Sequence, residues 1–263
     1  MRQISFDESK LLLLEMLLNF AKFCETNDIR YSIAYGTLIG AIRHKGFIPW
    51  DDDIDIIMLR DDYEKFIAKY KDDRYEIIQG ENMNNHAHIR LSDSETVVQF
   101  KTKGLRSKFY KAGLWLDIFP IDKVPDSQRG FLKHKRSIWL LYEMQMSGEV
   151  WRKSKLQYIA HVICAPFSHF FLFGKWAQKR ILKYNDRPTN TVASLGVWYL
   201  NFPPFPRDYM DEYIDVEFEG HKVKAIKQYD SFLRGIYGDY MQFPPVEKRQ
   251  PHHDYIAYWK EEG

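Results

Sequence analysis

A chain of 263 residues, 45% hydrophobic and 28% charged, has the composition of a folded globular protein and is long enough to bury a large core. Its two cysteines, Cys24 and Cys164, lie far apart and near no histidine cluster of zinc spacing, which argues against a disulfide scaffold and a zinc module. The near balance of 38 Lys and Arg against 36 Asp and Glu conceals an uneven distribution along the chain.

Residues 1–28 are predicted to form a helix leading into a sheet. Leu11, Leu14, Leu17 and Leu18 fit one apolar stripe, and Asp7, Glu8 and Lys10 sit at its start. Glu8 and Glu15 interrupt the leucine run, so a signal peptide is not expected and a cytoplasmic location is the default. Tyr31 to Tyr35 is a short β-prone run broken by Gly36-Thr37, and Leu38 to Arg43 reads as the first turns of a helix. A glycine at a strand-to-helix junction lets the backbone approach a phosphate, and the helix N-terminus offers it free N–H groups. Arg43, His44 and Lys45 follow with charge suited to phosphate oxygens.

The chain then runs Trp50-Asp51-Asp52-Asp53-Ile54-Asp55-Ile56-Ile57, four carboxylates leading straight into an apolar strand. Such density is costly without cations. Alternate side chains of a strand share a face, which puts Asp53 and Asp55 on one side, about 6–7 Å apart, and Ile54 and Ile56 toward a core. Two carboxylates so placed suit a hard cation such as Mg²⁺. A solvated acidic turn fits the abutting Ile-Ile-Met poorly. An EF-hand loop fails because Ile56 stands where the turn glycine must be and Asp62 where the bidentate Glu belongs.

Asp61 to Tyr70 is predicted as a helix, and Tyr75 to Gln79 and Thr96 to Lys101 as strands, the latter pairing with Ala87 to Leu91. In Gly113 to Pro120 a lone Asp117 stands between Leu116 and Ile118. It reads either as a third ligand of a cation shared with Asp53 and Asp55 or as a strand-end Asp bonding a turn. Val124-Pro125-Asp126 breaks the composition. From Arg129 to Lys183, 11 Lys or Arg face two acids, Glu143 and Glu149, giving this stretch +9 and the remainder −7. Its aromatic and aliphatic runs are broken by His161, Pro166 and His169 and are too short to span a bilayer. The readings are a plain helical subdomain, a peripheral membrane contact, or a nucleic-acid surface, the last with no accompanying motif. Val216 to Val223 reads as a hairpin turning at Gly220, and Tyr229 to Tyr237 as a helix closed by Gly238. His252 and His253 in the tail are adjacent and are not assigned as ligands. The expected organisation is a core over 1–125, a basic, aromatic-rich helical subdomain over 126–200, and a C-terminal segment, 201–263, returning to the core.

Gly36-Thr37, Asp53-Ile54-Asp55-Ile56 and Leu116-Asp117-Ile118 together resemble the nucleotidyltransferase superfamily. The longer strings YGTLIGAIRHKGFIPWDDDIDIIMLRDDY (Tyr35–Tyr63), WLDIFPID (Trp115–Asp122) and YGDYMQFPPVEKR (Tyr237–Arg249) resemble the LicD family of phosphotransferases, to which the fukutin-type proteins are distant relatives. The resemblance implies an α/β (α+β) fold, a nucleotidyltransferase-like mixed sheet with flanking helices and the basic helical insert. It implies Mg²⁺-dependent transfer of phosphocholine, or a related alcohol phosphate, from a CDP-activated donor. The acceptor would be a hydroxyl of a cell-envelope glycan, such as teichoic acid or a lipid-linked oligosaccharide or polysaccharide repeat. The alternative is a nucleotidyltransferase that uses an NTP and releases pyrophosphate. Asp53, Asp55 and Asp117 would hold two Mg²⁺ ions, with Mn²⁺ as a substitute, and Asp117 would be the general base. Gly36 and Thr37 would lie against the donor phosphates. Arg43 and Lys45 match the family's basic pair, and Arg90 stands where many members carry Lys. The partners implied are the CDP-alcohol donor and the glycan or lipid-linked oligosaccharide acceptor, not nucleic acid; a peripheral contact with the inner membrane surface stays one of the readings of the basic insert. Tyr35, Trp50, Tyr110, Trp115 and Trp198 are aromatic candidates for a choline cage.

Overall fold

The computed structural model describes residues 1–79, 88–100, 112–145, 172–195, 202–251 and 253–261. Tyr110, Trp198, His252, Cys164 and the stretch 146–171 fall outside them.

The fold is α+β, with six α-helices among the described residues. Its centre is β6 (Trp115–Val124), a ten-residue strand almost wholly buried. On one side β6 pairs in parallel with β2 (Asp55–Leu59), which in turn pairs antiparallel with β1 (Ser32–Ile33). On the other side its first half pairs with β4 (Ile89–Asp93) and its second half with β7 (Thr191–Ser194). β3 (Tyr75–Ile78) extends the sheet beyond β4, and β8 (Phe205–Pro206) beyond β7. Ile54, Ile56, Ile57 and Met58 have no exposed surface, so each contributes about 1.5–3 kcal/mol of burial. A near-continuous apolar run of this kind is what a strand covered on both faces needs.

The first helix, α1 (Phe6–Thr26), is capped by Ser5, whose hydroxyl accepts from the Glu8 N–H. The leucine stripe read from the sequence is offset: Leu12, Leu13, Met16, Leu17, Phe20 and Cys24 face the core, and Leu11 is 68% exposed. Four consecutive leucines leave the helix phase ambiguous, and the phase is set by Met16, Phe20 and Cys24 downstream. α2 (Tyr35–His44) begins two residues after β1. Gly40 lets its C-terminal end fold tightly, since a Cβ there would lie 2.4 Å from the Gly46 carbonyl oxygen. α3 (Arg60–Lys69) follows β2 directly.

The predicted partner of β5 (Thr96–Phe100) is corrected. It pairs not with β4 but with the C-terminal strand β11 (Tyr255–Trp259), while β4 is taken by β3 and β6. This returns the chain end to the body of the protein. The predicted hairpin is β9 (Tyr213–Phe218) with β10 (His221–Ile226), and Glu219 and Gly220 turn with φ of 49° and 76°. The helix before Gly238 is α6 (Tyr229–Tyr237). In the basic segment, α4 (Gln128–Gln145) and α5 (Leu172–Ile181) bury Phe131, Ile138, Tyr142, Ala177 and Ile181 in a second core with Val124, Ala193 and Leu195. Since β7 joins the main sheet, the segment is tied to the body of the protein at that strand. No helix among the described residues is long and apolar enough to cross a membrane.

Candidate active site

Strand register assembles the centre of the site. Asp55 is the Cα partner of Asp117 across β2 and β6, and Asp117 is the partner of Arg90 across β6 and β4. Three neighbouring strands therefore set carboxylate, carboxylate and guanidinium in one row. Asp53 precedes this row by two residues and lies just before β2.

The α2 junction fixes the start of β2. The Asp55 N–H donates to Thr37 Oγ1 at 2.9 Å, and the Ala34 N–H donates to the Asp55 carbonyl at 2.9 Å. Tyr35 enters α2 at φ 48°, a left-handed conformation that a tyrosine adopts only under constraint. Gly36 matters for space: a Cβ there would lie 2.9 Å from Asp51 Oδ2. Gly36→Ala is expected to change stability by less than about 1 kcal/mol, because alanine favours the helix by a similar amount. It should lower turnover roughly 10–100-fold by displacing the Asp51 carboxylate. Paired urea melts and initial-rate assays separate the two effects.

The carboxylates differ in proton affinity. Burial raises Asp55 well above the usual carboxylate range, and Asp53, Asp117 and Asp51 add to the rise. Burial and then Asp51 push Asp53 up to about 7, and burial and then Asp52 push Asp51 up to about 6. Asp117 goes the other way: burial pushes it up, but the Arg90 guanidinium and the His88 bond outweigh this and hold it well below its ordinary value. Its Oδ1 accepts from Arg90 Nε at 2.7 Å and lies 3.0 Å from His88 Nε2, and its Oδ2 accepts from Trp115 Nε1 at 2.9 Å. A carboxylate so held stays ionised and positioned, which suits cation binding better than the proton-accepting role expected from the sequence. Asp51, Asp53 and Asp55 are hard oxygen donors gathered with more negative charge than the buried site tolerates, and a divalent cation fits that donor set.

The tail closes over this site. Arg43 Nη1 donates to the Tyr240 carbonyl at 2.6 Å, and its guanidinium lies 4.6 Å from the Phe243 ring centre. Arg249 lies 5.3 Å from Phe243 and 5.4 Å from Trp50, beside Asp51 in sequence. Burial and the charge of Arg249 both lower the Arg43 pKa, as expected of two cations sharing one corner. Lys45, by contrast, is exposed and caps the far end of α2, where its N–H bonds the Gly40 carbonyl. Its cap bond fixes the Lys45 backbone at the end of α2, two residues beyond Arg43.

Beyond Arg249 the chain brings in His253. Its backbone N–H donates to Asp52 Oδ2 and its Nδ1 lies 3.2 Å from Asp52 Oδ1, with Asp53 Oδ2 at 4.0 Å. Donor atoms of Asp52, Asp53 and His253 lie within 4.8 Å of one another. Burial lowers the His253 pKa, but the Asp52 bond and the Asp53 charge outweigh it and leave it raised. Tyr237 and Tyr255 lie near the same cluster: burial and then Asp52 push the Tyr255 hydroxyl up, and Tyr237, 43% exposed at its surface, turns its hydroxyl toward Asp55, where burial and then Asp55 raise it. No ligand role for His253 and no cage role for these tyrosines was expected from the sequence. Only the β11–β5 pairing carries His253 and Tyr255 to the site, and no local pattern announces a pairing across some 150 residues. Of the aromatic candidates, Tyr35 is a core residue stacked on Phe202, and Trp115 is 3% exposed with the Arg90 guanidinium 4.2 Å from its ring centre.

The family model for the LicD/FKTN/FKRP nucleotidyltransferase domain matches residues 28–157, which include Gly36, Asp53, Asp55, Arg90 and Asp117. The chain is 33% identical over 268 residues to the lipopolysaccharide cholinephosphotransferase LicD of Haemophilus influenzae, covering 98% of this chain and 99% of that one. A stretch of 74 residues is 34% identical to an uncharacterised protein of Rickettsia typhi, 27% of this chain and 24% of that protein. Another of 36 residues is 56% identical to an uncharacterised protein of Rickettsia prowazekii, 14% of each. With near full-length similarity to one relative and a domain match over the acidic row, this chain belongs to the LicD/FKTN/FKRP family.

Proposed function

We propose that the protein transfers phosphocholine from CDP-choline to a hydroxyl of a cell-envelope glycan. The observation that supports this most is the Asp55–Asp117–Arg90 row with Asp53 before it, in a chain similar end to end to a relative named as a lipopolysaccharide cholinephosphotransferase. Asp53, Asp55 and Asp117 would hold Mg²⁺. A bound divalent ion neutralises donor phosphates and the charge that develops on the leaving group. Asp117, fixed by Arg90, His88 and Trp115, keeps its carboxylate ionised and aimed without reorganisation. Arg43 and Arg249, which form no ion pair among the described residues, meet at Phe243 near Trp50 and would supply positive charge for the donor's phosphates, with the N-terminal N–H groups of α2 at Gly36 as a second source. Tyr237 and Tyr255, with neighbouring carboxylates, suit a quaternary ammonium.

The acceptor hydroxyl attacks the choline-bearing phosphorus. A new P–O bond forms to the acceptor, the bond to the bridging oxygen breaks, and CMP leaves. The hydroxyl proton goes to His253 Nε2. A carboxylate oxygen only accepts, so Nδ1 must carry the proton of the Asp52 bond, which leaves the Nε2 lone pair available. A nitrogen donor is also a poor Mg²⁺ ligand, so proton handling is the better role for this histidine.

The test supplies Mg²⁺, glycan acceptor and a panel of CDP-alcohols and NTPs. CMP release from CDP-choline is expected, and pyrophosphate release from an NTP would overturn the reading. His253→Gln should lower kcat about 10²–10⁴-fold and remove the acidic limb of the pH–rate profile, with donor affinity unchanged. An unaltered profile would remove His253 from the chemistry.

A further inference from the structure

The outward faces of α4 and α5 are unlike the rest of the surface. On α4, Arg129, Leu132, Lys133, Arg136 and Leu140 are exposed at helical spacing, and on α5 and the turn after it so are Lys175, Trp176, Lys179, Arg180, Leu182 and Lys183. The apolar members are well exposed: Leu132 55%, Leu140 48%, Trp176 53% and Leu182 43%. Across Gln128–Gln145 and Leu172–Tyr184, Glu143 is the sole acidic residue. Cations outnumber acids strongly on these faces, while the apolar sides of the same helices are already used in the second core.

We infer that this paired face docks on an anionic phospholipid bilayer. Positive charge alone fits any polyanion. Leucine and tryptophan set among the charges gain nothing from a phosphate backbone but partition into a bilayer interface, with the lysine and arginine heads at the level of the lipid phosphates. The face is also separate from the catalytic machinery. The helices follow the Val124 end of β6, seven residues beyond Asp117, or about 23 Å along the strand. Docking there holds the enzyme at a surface while the acidic mouth stays open, whichever donor it uses.

Cosedimentation of the whole protein with large unilamellar vesicles tests this. Vesicles of equimolar phosphatidylglycerol and phosphatidylcholine should bind it, and pure phosphatidylcholine should not. Lys133→Gln/Arg136→Gln/Lys179→Gln should weaken binding about a hundredfold, and Leu132→Ser/Trp176→Ser about tenfold or more. Both variants should keep the wild-type thermal midpoint, because all five side chains are exposed. Failure of the wild-type protein to bind the anionic vesicles would overturn the inference. So would wild-type binding by both variants, or loss with the charge variant alone while heparin competes fully, which marks a polyanion site.

Discussion

Asp55→Asn abolishes transfer and at the same time raises the thermal midpoint of the metal-free protein. Both effects come from one position. Asp55 begins β2 in register with Asp117 and follows Asp53 by two residues, so on the proposed reading its charge would help hold a cation, and its carboxylate neighbours repel it when none is bound. Loss of a ligand at such a centre should lower kcat/KM by at least about 10³-fold. The stability effect follows from linkage. Asp51, Asp53 and Asp55 all have folded-state pKa values raised by burial and by one another, to about 6 for Asp51 and about 7 for Asp53. Groups raised in the folded state give stability that is complete below their unfolded pKa and lost as pH rises through the folded value. The raised His253 acts in the same direction. Asp117, held low, gives stability that is lost only in strong acid and so does not cancel the trend between pH 5 and 8. The metal-free protein should therefore melt lower at pH 8 than at pH 5, and Mg²⁺ should raise the midpoint more at pH 8. Asp55→Asn should gain on the order of 5 °C at pH 8 and lose most of its response to Mg²⁺. Calorimetry at the two pH values, with and without Mg²⁺, checks each sign.

Asp122→Ala is expected to give a large loss of stability and to leave the Asp55–Asp117–Arg90 row in place. Asp122 has no exposed surface and accepts from Arg60 Nε at 2.8 Å, Arg60 Nη2 at 2.7 Å and Asn185 Nδ2 at 2.7 Å. Burial pulls the Arg60 pKa down, but the Asp122 bond outweighs it and holds the guanidinium charged. Removing the carboxylate leaves that charge nearly buried, with the exposed Glu64 as its one remaining ionic partner among the described residues, and cuts the tie between β6 and the turn after α5. The expected loss is about 3–5 kcal/mol, or roughly 10 °C in midpoint. The double variant Asp122→Ala/Arg60→Met should recover most of it, because a matched apolar pair carries no stranded charge. Since Asp122 lies five residues beyond Asp117, about 16 Å along β6, the variant should keep its kcat at temperatures where it is folded. A loss under about 1 kcal/mol would show that Arg60 finds solvent or another partner.

The Asp55–Asp117–Arg90 row was legible in the sequence because its signal is local. An aspartate inside an apolar strand has few physical explanations, and Asp55 and Asp117 each carried that signal within eight residues. The strand-to-helix junction at Gly36 was legible for the same reason, although α2 begins one residue earlier and the space beside Gly36 is held by Asp51. What the sequence withheld was long-range. Thr96 to Phe100 reads as a strand, but nothing within it selects β11 over the nearer β4. The same pairing decides His253, which as one of two adjacent histidines in a proline-rich tail resembles a surface residue until Asp52 is found beside it. At Lys45 the sequence showed only a charge, while the structure adds a backbone role: its left-handed φ of 60° caps α2.

The most direct measurement of the central claim follows two labels on one donor, one in the choline and one in the cytidine of CDP-choline, through a single incubation with Mg²⁺ and glycan acceptor. The account predicts that the choline label enters the glycan with its phosphate, that the cytidine label is recovered as CMP, and that Asp55→Asn does neither. Cytidine label on the glycan, with the choline label released as phosphocholine, would contradict it, because the row of Asp55, Asp117 and Arg90 would then be serving attack on the nucleotide phosphorus.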